Sequence, residues 1–184
     1  MSGRDVIQRA SFAGTNSIDL NLRMLFNKKL TKEQALEKIK HYCSYQERCH
    51  SEVKSKLYSF GLRKSETEEI IAKMVEDNYL NEERFAIQFA GGKFRMKSWG
   101  RKKIQYELQQ KGVSAYIIKT ALKEIEEKKY LDTLKKLAET KWDFLKGENH
   151  LLRQSKTSAY LIQKGYEQAL ISQALQEIRS GEKQ

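Results

Sequence analysis

A short pattern, Leu-x3-Gly, occurs three times at nearly constant spacing, and it constrains the fold more than any other feature. The copies are Leu57 to Gly61, Leu108 to Gly112 and Leu161 to Gly165, with the glycines 51 and 53 residues apart. The match deepens after the second and third glycines. Lys-Thr-Ala-Leu-Lys-Glu-Ile at 119–125 aligns with Ser-Gln-Ala-Leu-Gln-Glu-Ile at 172–178 at the same offset, and Ile70, Ile71 and Met74 fall on the corresponding offsets of the first copy. Self-similarity at a fixed period marks a repeat architecture, in which each unit buries its apolar face against its neighbours.

Each period reads as three helices. A first helix (about 32–47, 82–97 and 130–146) precedes a short second one (about 51–60, 100–111 and 153–164). The shared glycine ends the second helix, and a third follows (about 65–78, 114–127 and 167–180). A glycine just past a helix end takes the left-handed conformation that a Cβ disfavours. The chain contains no proline, so no residue lacks the backbone donor that a helix interior needs. Thr31 with Gln34 has the spacing of a capping box, and Asn81 and Ser114 are good N-caps.

Such short helices are unstable alone in water and need buried faces. The expected faces are Ala35, Leu36, Ile39 and Tyr42 in the first unit. In the second they are Phe85, Ala86, Phe89, Ile104, Leu108, Ile117, Ala121, Leu122 and Ile125. In the third they are Leu134, Leu137, Trp142, Leu161, Leu170, Ala174 and Ile178. The expectation is an all-α protein of three tandem three-helix repeats, 31–80, 81–128 and 129–184, forming an elongated curved molecule. Residues 1–30 read as a flexible N-terminal tail, in which Asp19–Phe26 can dock on the first helix and Met24 offers a second start. With no secretory or membrane-spanning apolar run, a cytoplasmic protein is expected.

The formal charge is +11, which favours polyanionic partners. Its placement is uneven. Residues 31–92 balance at −1, whereas 93–111 carry seven Lys/Arg against one Glu. The candidate binding residues are therefore Lys93, Arg95, Lys97, Trp99, Arg101, Lys102, Lys103, Tyr106, Gln109 and Gln110. In a helix from about Gly100, Ile104 and Leu108 share one face. Lys102, Lys103, Tyr106, Gln109 and Gln110 are then expected opposite, where Lys meets phosphate and Tyr or Gln stacks or hydrogen-bonds. The competing reading is a solvated face that keeps the protein soluble. Gly91-Gly92 falls inside the preceding helix and marks either a kink or a close backbone approach.

Nothing in the sequence calls for catalysis, a metal or a cofactor. His41-x-Cys43-x5-Cys49-His50 is spaced too widely for the usual structural zinc pair. Six helical residues rise about 9 Å, too far for a Cys43–Cys49 disulfide. Glu66, Glu68 and Glu69 lie where acids complement a helix N-terminus. No nucleophile elbow, kinase signature or phosphate loop is present.

Three segments resemble the RecX family. They are Tyr79-Leu-Asn-Glu-Glu-Arg-Phe-Ala86, Glu52-Val-x-x-Lys-Leu57, and Gly100-x3-Ile104-x2-Glu107-Leu108-x2-Lys111-Gly112-Val113. The resemblance spans about residues 31–180 and is most specific in the second unit. It departs from the family at Glu82 or Glu83, where Asp is common, and at Arg101, where proline is frequent. It implies a three-repeat helical protein without catalytic residues that binds the RecA recombinase filament and restrains its activities; a monomer is expected. Single- and double-stranded DNA are then expected partners, and the 93–111 face meets acidic protein surface or the DNA within the filament. The alternative is a helical-repeat protein that binds DNA directly and has no RecA role.

Overall fold

A computed structural model describes residues 29–181. Among these residues the secondary structure is entirely helical: α1 (Lys32–Tyr45), α2 (His50–Ser59), α3 (Lys64–Glu76), α4 (Glu82–Lys97), α5 (Arg101–Gln110), α6 (Ala115–Lys123), α7 (Glu127–Phe144), α8 (His150–Lys164) and α9 (Gln168–Gly181). The chief helix–helix contacts join α1–α3, α4–α6 and α7–α9 among themselves, so three three-helix units follow one another in series. The expectations for Asp19–Phe26 and Met24 lie outside the described residues. Lys29 and Leu30, counted above with the tail, belong to the first unit. Leu30 N–H donates to Phe60 O at 3.1 Å, and Lys29 pairs with Glu66.

The Leu-x3-Gly pattern has a common geometry. Gly61, Gly112 and Gly165 have φ of +83°, +82° and +93°. The residue after each glycine donates its N–H back to the carbonyl of the repeat leucine: Leu62 to Leu57 at 3.4 Å, Val113 to Leu108 at 3.1 Å and Tyr166 to Leu161 at 3.2 Å. Both ends of each bond carry buried apolar side chains. This is the Schellman arrangement, which satisfies an orphan carbonyl and staples the end of the helix at once. It also aims the third helix of each unit back across the other two.

The starts are equally local. Thr31 and Gln34 form the reciprocal capping box, Asn81 Oδ1 accepts from Arg84 N–H at 2.9 Å, and Ser114 Oγ accepts from Ile117 N–H at 3.4 Å. Helix α4 continues through Gly91-Gly92 without a break.

Two cores form, not three. Ala35, Ile39, Cys43, Val53, Leu57, Leu62, Ile70, Met74 and Leu80 make the first. The second runs through both remaining units, from Phe85 to Leu175, and takes in Cys49 from the first unit. Tyr130, Trp142 and Tyr166 are its largest fully buried side chains. The expected faces are largely the buried ones, with two shifts: Ile118 is more deeply buried than Ile117, and Ile171 and Leu175 are more deeply buried than Leu170 and Ile178.

Candidate interaction surface across the second and third units

The basic segment 93–111 covers the end of α4, the turn after it and all of α5. Ser98, in the left-handed region at φ +51°, ends α4, and its N–H donates to Phe94 O. Gly100 then starts α5 against the third unit. A Cβ at Gly100 would lie 2.2 Å from Gly165 O, and a Cβ at Gly165 would lie 2.3 Å from Lys103 Cβ. Gly100 N–H donates to Lys164 O at 2.8 Å, and Lys102 N–H donates to Gly165 O at 3.0 Å. The first turn of α5 is thus held, backbone to backbone, on the end of α8.

This docking divides α5 into flanks that the sequence reading had merged. Ile104 and Leu108 are fully buried, as expected. Lys102, Tyr106 and Gln110 point outward and are exposed, Tyr106 by 58%. Lys103 lies on the flank toward the third unit, where its Nζ sits over the Trp99 ring at 4.7 Å and donates to Gln163 O at 3.4 Å. Gln109 lies on the opposite flank with Gln105 and Arg101, lining a groove against α6. Residues three and four apart share a helix flank.

Arg101 is a joint residue. Its guanidinium stacks on Tyr130 at 4.1 Å, pairs with Glu127 at 2.6 Å and donates to Ile125 O. Burial is the largest single effect and acts against its charge, but the hydrogen bond to Glu127 and the charges of Glu127, Tyr130 and Glu167 together outweigh it, so its pKa is raised. Beneath it, Tyr130 Oη accepts Arg101 N–H at 3.0 Å and donates to Glu167 at 2.7 Å, while its ring lies 5.0 Å from that of Tyr166. Burial pushes both phenols above the ordinary range.

Of the other cations of the segment, Lys111 pairs with Glu52, while Lys93, Arg95, Lys97, Lys102 and Lys103 hold no carboxylate among the described residues. Lys93 lies between Phe89 and Trp99, 5.2 and 5.1 Å from the ring centres. Arg95, Lys97 and Lys102 are exposed. The contacts then continue into the third unit, which the sequence reading missed. Lys164 Nζ donates to Lys97 O at 3.2 Å and faces Tyr160, while Lys141 faces both Tyr160 and the exposed Phe144. Lysines and aromatic rings therefore alternate on both sides of the joint, Phe89, Lys93, Trp99 and Lys103 on one and Lys164, Tyr160, Lys141 and Phe144 on the other. The two stretches form one chain through Lys103 on Gln163 O and Lys164 on Lys97 O. Lys141, Tyr160 and Lys164 are dispersed in sequence, so no local charge cluster marks them. The repeat itself offered the one signal, because Lys164 precedes Gly165 as Lys111 precedes Gly112. Lys111, by contrast, is neutralised by Glu52 at 2.6 Å.

Among the described residues no group of three or more His, Cys, Asp or Glu side chains is placed to hold a metal ion. Cys43 lies in the first core and Cys49 in the second. Burial pushes the Cys43 thiol up to about 11. No described helix is long and apolar enough to cross a membrane.

Comparison with known proteins places this architecture. The description of the second three-helix domain of RecX matches residues 81–122, and that of the third matches 127–175. A regulatory protein RecX from Prosthecochloris aestuarii is 30% identical over 145 residues, which cover 79% of this chain and 93% of that protein. The chain belongs to the RecX family. A Bacillus cytotoxicus RecX is 29% identical over 138 residues, 75% of this chain. The chain spans about half the length of that relative and of the one from Oceanobacillus iheyensis, 51% and 52%. The crystal structure of RecX from Lactobacillus salivarius superimposes with a TM-score of 0.74 at 25% identity, covering 80% of this chain and 96% of that one.

The RecX motifs acquire physical meaning in this fold. In 79–86, Leu80, Phe85 and Ala86 are buried, Asn81 caps α4, and Arg84 bonds Glu47 and Asn78 across the first joint. In 100–113, Gly100 permits the backbone contact with Gly165, and Lys111 holds Glu52. These motifs build the joints between units.

Proposed function

We propose that this RecX-family chain is a cytoplasmic, monomeric regulator that binds the RecA–DNA filament and chiefly restrains recombinase activity. The observation that carries the reading is the lysine–aromatic chain across the second joint. Lys93, Lys97, Lys102, Lys103, Lys141 and Lys164 have no carboxylate partner among the described residues. Lys93, Lys103, Lys141 and Lys164 lie against aromatic rings, and Lys103 and Lys164 also donate to carbonyls across the joint. Cations left unanswered along one edge attract an extended polyanion, and rings between them offer stacking surfaces. Because that edge crosses a joint built from backbone contacts, its spacing is fixed. A fixed row of charges suits a regularly repeating partner.

The test is RecA-driven strand exchange with substoichiometric protein, together with co-sedimentation on RecA–single-stranded DNA filaments. The unmodified chain should slow exchange and sediment with filaments. Lys97→Glu with Lys102→Glu should lower both effects about tenfold or more, in line with charge-pair losses at other interfaces. Unchanged exchange with the unmodified chain would reject the reading. A second reading, direct DNA binding without a RecA role, is favoured by Trp99 between two lysines and by exposed Tyr106. It expects steeply salt-dependent binding to bare DNA and no retention by RecA alone.

A further inference from the structure

The groove between α5 and α6 lies on a different flank of α5 from the lysine–aromatic chain. It encloses about 690 Å³ and is mostly apolar, within the usual range for ligand and peptide sites. Ile118, Leu122 and Ile125 form its floor. Gln105 and Gln109 form one rim, and Lys119 and Lys123 form the other. Arg101, Glu126 and Glu127 close one end.

We propose that this groove docks an acidic amphipathic helix of a partner protein. The inference goes beyond the filament reading and does not depend on it. Three observations choose the occupant. First, the apolar floor rewards buried hydrocarbon, from which a phosphate backbone gains nothing. Second, the charges available to a visitor are positive. Glu127 is held by Arg101 and Glu126 by Lys129, while exposed Lys119 and Lys123 have no carboxylate among the described residues. Third, both rims repeat at one helical turn: Gln105 with Gln109, and Lys119 with Lys123. Residues four apart on a visiting helix have the same separation. Two of its carboxylates meet the lysines while apolar residues at i, i+3 or i+4, and i+7 reach the floor, the usual form of helix-in-groove recognition.

The test uses the full chain and a synthetic helix of about 16 residues, long enough to fold on contact, with Leu at the anchor positions and Glu elsewhere. Its lysine-for-glutamate twin and an oligo-dT of similar length are the controls. The acidic helix should shift the backbone amide resonances of Ile118–Lys123. Lys119→Glu with Lys123→Glu, an exposed pair that leaves the core intact, should weaken it about tenfold or more, consistent with two lost charge contacts. Leu122→Asp should abolish it. Lys97→Glu should leave it unchanged, which separates this outcome from failure of the filament reading. The proposal is overturned if the acidic helix leaves those amides unmoved. It is equally overturned if the lysine twin binds as well, if both charge reversals weaken the helix alike, or if oligo-dT displaces it.

Discussion

The two joints of this molecule solve the same problem with different materials. Between the first and second units the contacts are mainly side chains: Arg84 on Glu47 and Asn78, Lys111 on Glu52, Ser51 Oγ on Lys111 O, and His50 near Glu82. Between the second and third units the backbones themselves touch, Gly100 against Gly165, and a buried aromatic cluster is shared. Side-chain pairs at a partly exposed joint can be exchanged for water at modest cost. Apposed backbone in a continuous core has no such alternative. Apart from Cys49, which enters the second core, little apolar surface ties the first unit to the rest, so we expect it to open separately while the second and third units act as one body that carries the lysine–aromatic edge.

Substitutions can break this contrast from either side. The largest effect is expected for Gly100→Ala, whose methyl group would meet backbone at 2.2 Å. We expect a loss of about 3 kcal/mol or more in urea unfolding, at the upper end for overpacking, borne by the second and third units and sparing the first. Alkaline pH should act on the same body. Tyr130 and Tyr166 have folded-state pKa values raised by burial. Their contribution is therefore complete below the ordinary phenol value of about 10 and is lost as pH rises toward the folded values. In a spectrophotometric titration both phenols should ionise only as the protein unfolds.

Arg84→Ala attacks the other joint. About 1–3 kcal/mol is expected from its charge-assisted bonds, read as faster hydrogen exchange in α1–α3 with little change in α7–α9. The smallest effect should come from Thr31→Ala. It removes the α1 capping box at about 1 kcal/mol and should be visible only in the melting of the first unit. An equal response of all three units to any of these changes would erase the contrast.

Much of this was legible in the chain because it is local. Helix ends are set by caps and by glycines within a few residues, so Leu-x3-Gly foretold three Schellman turns, and Thr31, Asn81 and Ser114 foretold three starts. The cationic segment was legible for the same reason, being contiguous. What escaped was the pairing between units. Nothing near Gly100 announces Gly165, and nothing near Lys97 announces Lys164, because those neighbours are set by how one unit caps the next. Arg101 shows the cost of reading charge alone: counted among the binding cations, it is committed to Tyr130 and Glu127. Lys103 and Gln109, placed together on one face, sit on opposite flanks.

Native-state hydrogen exchange across a denaturant series tests the two-joint account most directly, because it resolves opening free energies element by element. Amides of α4–α9 should converge on one shared opening, with α1–α3 opening separately at lower free energy. A third unit that opens alone, or a single opening common to every helix from Lys32 to Gly181, would contradict it.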